Sequence, residues 1–439
     1  MTASTRSVGI GIIGLGTVGG GVVRLIQMHR DDYRANHGID LTIARACALD
    51  PSVAEELGIP QDRFTSNWND VVNDPAVDIV VELIGGEHPA TEIFQTAFAN
   101  GKHMVSANKA LLGRHVEKLA QAAADAGVQL RCEAAAAGGI PIVSVLEHDL
   151  AGNKILTIAG IMNGTTNYIL SRMADEGLGF EEVLSDAQRL GYAEADPSAD
   201  VDGFDAASKI AILSSIGFHS RVTTDDVYMQ GIRQVGADDI AIARSLGYAI
   251  KLLAIGRNTP EGIDVRVHPT MIPATHQLAS VSGAMNAVFV VGDAVGETMF
   301  YGAGAGAFPT ASAVVGDVLA LADAMTRGGA PLPEPEPVQR TLAIRPIEEL
   351  EAGYYIRLAL DGRPDALDAA VATLAAGGVP VQRAERVDAG AAVVITDICV
   401  EGALNAAVDA LARDLGDTAV ASVIRIEDVA AWSKGACAN

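Results

Sequence analysis

From Val8 to about Ala135, short apolar runs alternate with stretches of helical periodicity. The runs Val8–Ile13, Leu41–Ala48, Asp78–Ile84, His103–Ser106 and Val128–Cys132 have the length of strands. Between them, Val18–Arg34, Thr91–Asn100 and Lys109–Ala126 repeat apolar residues at helical spacing. Such alternation predicts a parallel sheet wound with helices on both faces. The pattern changes between about Ala136 and Arg327. Helical stretches at Thr166–Glu176, Glu181–Leu190 and Phe204–His219 give way to strand-like runs at Ala249–Arg257, Ile263–Met271 and Ala287–Val291. A long helical segment, Thr310–Met325, closes this part, which therefore reads as an α+β domain.

Gly328 to Pro337 holds four prolines in ten residues, which forbids a regular helix and favours an extended spacer. Beyond it, Tyr354–Leu360, Pro364–Ala376, Val379–Val387, Ala391–Thr396, Gly402–Asp414 and Val420–Ile426 spell strand–helix–strand–strand–helix–strand. That order predicts a self-contained ferredoxin-like module. The expected organisation is thus α/β: a dinucleotide-binding segment at 1–135, a substrate-binding segment at 136–327, a linker at 328–349 and a C-terminal module at 350–432.

The chain carries 31 basic and 55 acidic residues, a formal net charge of −24. So acidic a protein is a poor binder of nucleic acid, whose phosphates demand Lys and Arg. A cofactor phosphate remains possible, because backbone amides hold phosphate without lysine. Cys47, Cys132, Cys399 and Cys437 form no C-x-x-C pair, and buried free thiols are expected. The polar start Met1–Ser7 leads straight into a strand, and no apolar run of ~20 residues stands out. The expectation is a cytoplasmic protein with no membrane span.

Gly14-Leu15-Gly16-Thr17-Val18-Gly19 follows the first strand and opens a helix. In this context Gly14 permits a tight turn, Gly16 lets backbone approach a pyrophosphate, and Gly19 lets helix and strand pack closely. Thr17 and Val18 begin the helix whose free N–H groups face the phosphates. Asp50, at the end of the second strand, is placed to accept hydrogen bonds from a ribose, which favours NAD over NADP. Leu49 precedes it, and the nearest basic residue, Arg45, lies earlier in the strand. Asp50 also suits a simple turn, since Pro51 follows it. A second segment, Ser106-Ala107-Asn108-Lys109, ends a strand of the same sheet, where doubly wound folds bind ligands. Asn108 could equally cap the next helix, leaving Lys109 solvated in its first turn.

The most informative stretch is Gly191-Tyr192-Ala193-Glu194-Ala195-Asp196-Pro197-Ser198-Ala199-Asp200-Val201-Asp202-Gly203-Phe204-Asp205-Ala206-Ala207-Ser208-Lys209. Asp205 and Lys209 share a helical face, and Ala206, Ala207, Ile210, Ala211 and Ile212 make the surroundings of the lysine apolar. Such surroundings favour the neutral form of an amine, which suits acid–base work. A solvated acidic loop followed by a surface ion pair is the plainer alternative.

This stretch resembles the signature of homoserine dehydrogenases. Ser106–Lys109, Asn163-Gly164-Thr165-Thr166-Asn167-Tyr168 and Tyr301-Gly302-Ala303-Gly304-Ala305-Gly306 are also similar to segments of that family. The likeness runs from about Val8 to Thr326, and the remainder resembles an ACT domain, a small regulatory module. The resemblance implies a Rossmann-type domain binding NAD or NADP, a substrate and dimerisation domain, and interconversion of L-homoserine and L-aspartate 4-semialdehyde. It implies Lys209 as general acid/base, Asp205 as the group that holds the reacting end, and Gly191 and Glu194 as substrate contacts. Lys109 would stand beside the cofactor, with Ser106 and Gly304 touching it. The family's monovalent cation, usually sodium, would be held by Glu133 and the carbonyls of Ala136, Gly138 and Ile140. A homodimer or homotetramer, with threonine as effector at the ACT domain, is implied as well. A rival from another class is an amino-acid-sensing regulator that binds NAD(P) without catalysis. Lys209 and Lys109 argue against it, because a sensor needs no proton donor.

Overall fold

The computed structural model describes residues 5–326, 341–360, 363, 365–388, 390–416, 418–435 and 437, and the spacer Gly328–Pro337 lies outside them. Compact packing groups Met1–Gly152, Ser208–Asp225 and Phe300–Thr341 into one unit, and Asn153–Ala207, Asp226–Met299 and Leu342–Asn439 into a second. Spatial grouping therefore cuts across the linear segments expected from sequence, dividing 136–327 between the two.

In the first unit, β1 (Arg6–Ile13), β2 (Ile39–Cys47), β3 (Phe64–Thr65), β4 (Ile79–Glu82), β5 (His103–Ser106) and β6 (Leu130–Arg131) form one sheet. Its order is β3-β2-β1-β4-β5-β6 and every pairing is parallel. The strands are apolar on both faces, with Ile10, Ile12, Ile79, Val80, Val81, Met104 and Val105 fully buried, as a sheet covered by helices requires. Chain progression reverses between β1 and β4, the switch point where such sheets bind ligands.

The helix Thr17–His37 follows β1 and stops at Gly38, whose φ of 69° is left-handed. The helix Ala307–Thr326 packs against it. A Cβ at Gly21 would lie 2.6 Å from the Ala307 carbonyl oxygen, so only glycine allows the approach. Ala311, Val314, Val315 and Val318 share one core with Val22, Val23 and Ile26. Ala307–Met325 is long and apolar enough to cross a membrane, which corrects the expectation that no such run exists. Here its apolar face belongs to this core.

The second unit is built on a mixed sheet. Its strands are β7 (Ile155–Ile161), β8 (Tyr228–Met229), β9 (Tyr248–Thr259), β10 (Gly262–Pro273), β11 (Met285–Gly292) and β12 (Gly296–Ala303). They continue with β13 (Glu351–Ala359), β14 (Val381–Arg386), β15 (Ala391–Thr396), β16 (Cys399–Val400) and β17 (Val420–Ile426). The order is β12-β11-β7-β9-β10-β17-β13-β15-β14, with β8 beside β10 and β16 beside β13. Within the C-terminal part, the last strand lies next to the first, then the third, then the second. That is the ferredoxin-like arrangement expected from sequence.

The module is not self-contained, however. β17 pairs in parallel with β10, Thr270 opposite Arg425 and Met271 opposite Ile426, so one sheet runs through both parts. Buried polar contacts reinforce the seam. Arg266 meets both oxygens of Glu427 at 3.0 and 3.1 Å. Asp239, fully buried, accepts from Tyr355 at 3.0 Å and from Arg357 at 2.6 Å. Trp432 sits against His276 and Phe289, with ring centroids 5.3 and 5.7 Å apart. Cys47, Cys132 and Cys399 are buried free thiols, whereas Cys437 is exposed.

Candidate functional site

In the first unit, Gly14 takes φ 101°, and a Cβ at Gly19 would fall 1.9 Å from the Gly14 carbonyl oxygen. Turn and close packing thus each demand glycine. A Cβ at Gly16 would meet nothing within 4 Å, so its face is open to an approaching phosphate. Gly16 supplies no side-chain cap, which leaves the first N–H groups of the helix begun by Thr17 and Val18 available to an anion. These features fit a dinucleotide.

Sequence reasoning passed over Glu82, at the end of β4. Its side chain is fully buried. Oε1 accepts the N–H groups of Ile84 (2.9 Å) and Gly85 (3.2 Å), and Oε2 accepts the Ser106 hydroxyl (2.7 Å). Burial pushes its pKa up, and these hydrogen bonds oppose the rise. Ser106 in turn receives the Asn108 N–H at 3.0 Å. Its hydroxyl thus links Glu82 to the start of the next helix. Asn108 does cap the following helix, through Leu111 N–H at 3.1 Å, and its Nδ2 also donates to the Gly86 carbonyl at 2.7 Å. One buried carboxylate therefore ties together the ends of β4 and β5, and the exposed Lys109 opens the helix Lys109–Asp125 from this base. The only sequence signal was an acid closing an otherwise apolar strand.

Asp50 is exposed and its Oδ1 accepts both the N–H (2.9 Å) and the hydroxyl (2.7 Å) of Ser52. These hydrogen bonds hold its carboxyl below the ordinary range. The turn role weighed from sequence is thus present, and the second oxygen remains for a ribose. Arg45 is committed elsewhere, to Asp74 at 3.0 Å and the Asp62 carbonyl at 3.0 Å.

The Glu133 carboxylate is surrounded by donors: the N–H groups of Ile142 (2.6 Å), Val143 (2.8 Å) and Ser144 (2.8 Å), and the Ser144 hydroxyl (2.5 Å). These four donors occupy the side-chain oxygens. The carbonyls of Ala136, Gly138 and Ile140, in contrast, lie in buried residues and accept no hydrogen bond from the described residues. Buried unsatisfied carbonyls suit a hard cation that takes oxygen ligands. Gly138, at φ 61°, lies against Gly304; a Cβ there would stand 2.1 Å from the Gly304 oxygen. The Gly138 and Gly304 loops are thereby brought together.

In the second unit, Asn163 caps the helix Gly164–Glu176, its Oδ1 accepting from Thr166 N–H at 2.8 Å. Its Nδ2 donates to Asp200 at 2.7 Å and to Asp205 at 2.9 Å. Sequence reading gave Asn163 no role of its own. Gly191 takes φ 78° at the head of the acidic loop, and Gln188 supports the loop through the carbonyls of Glu194 (3.0 Å) and Ala195 (3.3 Å). The Glu194 side chain is exposed. Tyr168 and Tyr192 stack at 4.7 Å, and Thr165 donates to the Tyr192 carbonyl at 2.7 Å.

Asp205 and Lys209 lie one turn apart on the helix Phe204–Phe218, 7% and 6% exposed. Ala207, Ile210, Ala211 and Ile212 are fully buried around the lysine, which is the apolar setting expected. Gly14, Gly16, Thr17, Val18, Gly19, Asp50, Ser106, Lys109, Lys209 and Gly304 fall in the first unit. Gly191, Glu194 and Asp205 fall in the second.

Two family models match the chain: the NAD-binding domain of homoserine dehydrogenase over residues 14–133, and homoserine dehydrogenase over 141–319. A homoserine dehydrogenase of Synechocystis is 47% identical over 360 residues, 80% of this chain and 82% of its own. The crystal structure of one from Thiobacillus denitrificans superposes with a TM-score of 0.90 at 42% identity, covering 96% of this chain and 99% of that one. A hyperthermophilic archaeal homoserine dehydrogenase, solved in complex with NADPH, has a TM-score of 0.62 at 25% identity. It is covered over 97% of its length by 72% of this chain. With a nicotinamide fold in one unit and a buried lysine one turn beyond a tethered carboxylate, the chain belongs to the homoserine dehydrogenase family.

Proposed function

We propose that this family member interconverts L-homoserine and L-aspartate 4-semialdehyde, on the aspartate-derived route to threonine, methionine and isoleucine, with Lys209 as general acid and base. A bound NAD or NADP supplies or accepts the hydride. Lys209 as ammonium gives its proton to the aldehyde oxygen; in reverse, its amine takes the hydroxyl proton of homoserine. Asp205, held by Asn163, fixes the reacting end and orients that amine. Glu194 accepts hydrogen bonds from the substrate ammonium, with Gly191 beside it. Lys109 and Gly304 would flank the cofactor, and Gly14, Gly16, Thr17, Val18 and Gly19 would hold its pyrophosphate. The free oxygen of Asp50 and the engaged state of Arg45 support NAD as the preferred cofactor. The carbonyls of Ala136, Gly138 and Ile140 would hold a sodium ion, which stiffens the loop beside Gly304. A homodimer or homotetramer, with threonine acting at the C-terminal modules, belongs to the same reading.

The observation that carries it is the buried Lys209 on the helix of the tethered Asp205, since binding alone requires no proton donor. Homoserine added with NAD, and separately with NADP, should produce the absorbance of the reduced cofactor, more efficiently with NAD. No absorbance with either overturns the activity, and a clear preference for NADP overturns the role of Asp50.

A further inference from the structure

A cavity of about 300 Å³ lies in the second unit, where the end of the β9–β10 hairpin, the start of β13 and the segment after β17 meet. This is within the ~300–1,000 Å³ range of small-molecule sites. The partly buried Arg257 and Arg345 line it, together with the exposed acids Glu261, Glu351 and Asp428 and the exposed Lys434.

Most charges deeper in the wall are in direct ion pairs. Arg345 pairs with Asp264 at 3.2 Å, and Glu427 is held by Arg266 and by Trp432 Nε1 at 2.9 Å. Arg257 makes no direct ion pair among the described residues, although Glu427 and Asp264 attract it from farther off. Among the described residues its hydrogen bond goes to a neutral acceptor, the Ala431 carbonyl, at 3.0 Å. Burial pushes its pKa below the usual guanidinium range and neighbouring Arg266 adds to the effect, while Glu427 and Asp264 oppose it. Nε and Nη1 of Arg266 are themselves buried without a partner. A largely buried guanidinium whose direct partner is a single neutral carbonyl keeps donors for an entering anion.

We propose that this cavity binds an α-amino acid, its carboxylate received by Arg257 and its ammonium by the acids at the opening. The order of charge selects the class. At the opening Glu261, Glu351 and Asp428 outnumber the exposed Lys434 and disfavour a bare anion, and the guanidiniums disfavour a bare cation. A zwitterion entering carboxylate first satisfies both. The site lies within one chain, distinct from an effector site formed by paired modules, and it is independent of the reading of the nicotinamide site. Because its walls come from the central sheet and from the C-terminal module, an occupant stabilises their seam.

The test is calorimetric titration of the full-length protein with common α-amino acids one at a time, with acetate and ethylamine as single-charge controls. At least one amino acid should bind saturably. Arg257→Gln should weaken it about tenfold or more, the loss expected when a hydrogen bond to a charged group is removed. Glu351→Gln should weaken the amino acid and leave any acetate binding unchanged. Neither variant should alter basal homoserine oxidation. Binding that survives both substitutions belongs to another site, such as that of homoserine itself, and overturns the proposal. Acetate binding as tight as that of any amino acid, or no binding at all, overturns it too. If Arg257→Gln fails to fold, the surface variant Glu351→Gln carries the same decision.

Discussion

Arg425, on β17, closes on both oxygens of Glu401, with Nε to Oε2 at 2.9 Å and Nη2 to Oε1 at 2.5 Å, while its Nη1 reaches Gln230 at 2.7 Å. Both members of the ion pair are nearly excluded from water. Glu401→Gln leaves a buried guanidinium uncompensated, and the expected loss of stability is about 3–5 kcal/mol. Denaturant unfolding of the two proteins measures it. Removing the whole module uncovers β10 and strips partners from Asp239, Arg266 and Gln230. The expected outcome of cutting the chain before β13 is thus a poorly folded product, although the linker pattern had suggested a detachable domain. A truncated protein that melts like the full chain would refute the continuity of the sheet as a source of stability.

Lys209→Ala should lower turnover by roughly 10²–10⁴ while cofactor affinity changes little, since the lysine acts on the proton and not on the pyrophosphate. Stopped-flow hydride transfer and a separate cofactor titration distinguish the two quantities. Turnover within a few-fold of the parent removes Lys209 from the mechanism.

Glu82→Gln replaces an acceptor oxygen with a donor at a point surrounded by the N–H groups of Ile84 and Gly85 and the hydroxyl of Ser106. At least one buried donor then lacks an acceptor, at a cost of about 1–3 kcal/mol. If Glu82 positions the base from which Lys109 projects, KM for the cofactor rises along with the fall in Tm. A fall in Tm with unchanged kinetics limits Glu82 to a structural role.

Lys251 offers a pH test. Its Nζ is buried, donating to the Val281 carbonyl at 2.6 Å and to Asn167 at 3.2 Å, and burial lowers its pKa to about 8. In the unfolded chain the amine keeps its proton up to ~10.4. Between about 8 and 10.4 the unfolded state binds more protons, so this lysine adds stability as pH rises and costs stability below the window. Measured as Tm against pH, the difference between the parent and Lys251→Met should move in the parent's favour across that range. A flat difference contradicts the assignment.

The doubly wound sheet was legible because its strands are apolar on both faces and its first turn must be glycine at Gly14 and Gly19. The C-terminal strand order was legible for a similar local reason. The seam between β10 and β17 was not, since pairing partners such as Thr270 and Arg425 are far apart in the chain and leave no periodic trace. β7, a short apolar run, carried no cue to separate it from a buried helix turn. Among site residues, Asp205 and Lys209 stood out by spacing. Glu82 and Asn163 act through hydrogen bonds that only the folded chain assembles. The row of N–H groups around Glu133 was not legible, because a carboxylate beside a small-residue loop looks the same in sequence with or without them.

The interleaving of the two units bears on how the protein is made. The core of the first requires the helix Ala307–Thr326, and the sheet of the second requires β17, near the end of the chain. Neither can finish folding as its early strands leave the ribosome. During synthesis at ~5–20 residues per second, β9 and β10 wait with one edge open until more than a hundred further residues arrive. The nascent chain thus passes through a stage with an unpaired apolar strand edge, and its yield in the cell will depend on how well that edge is shielded.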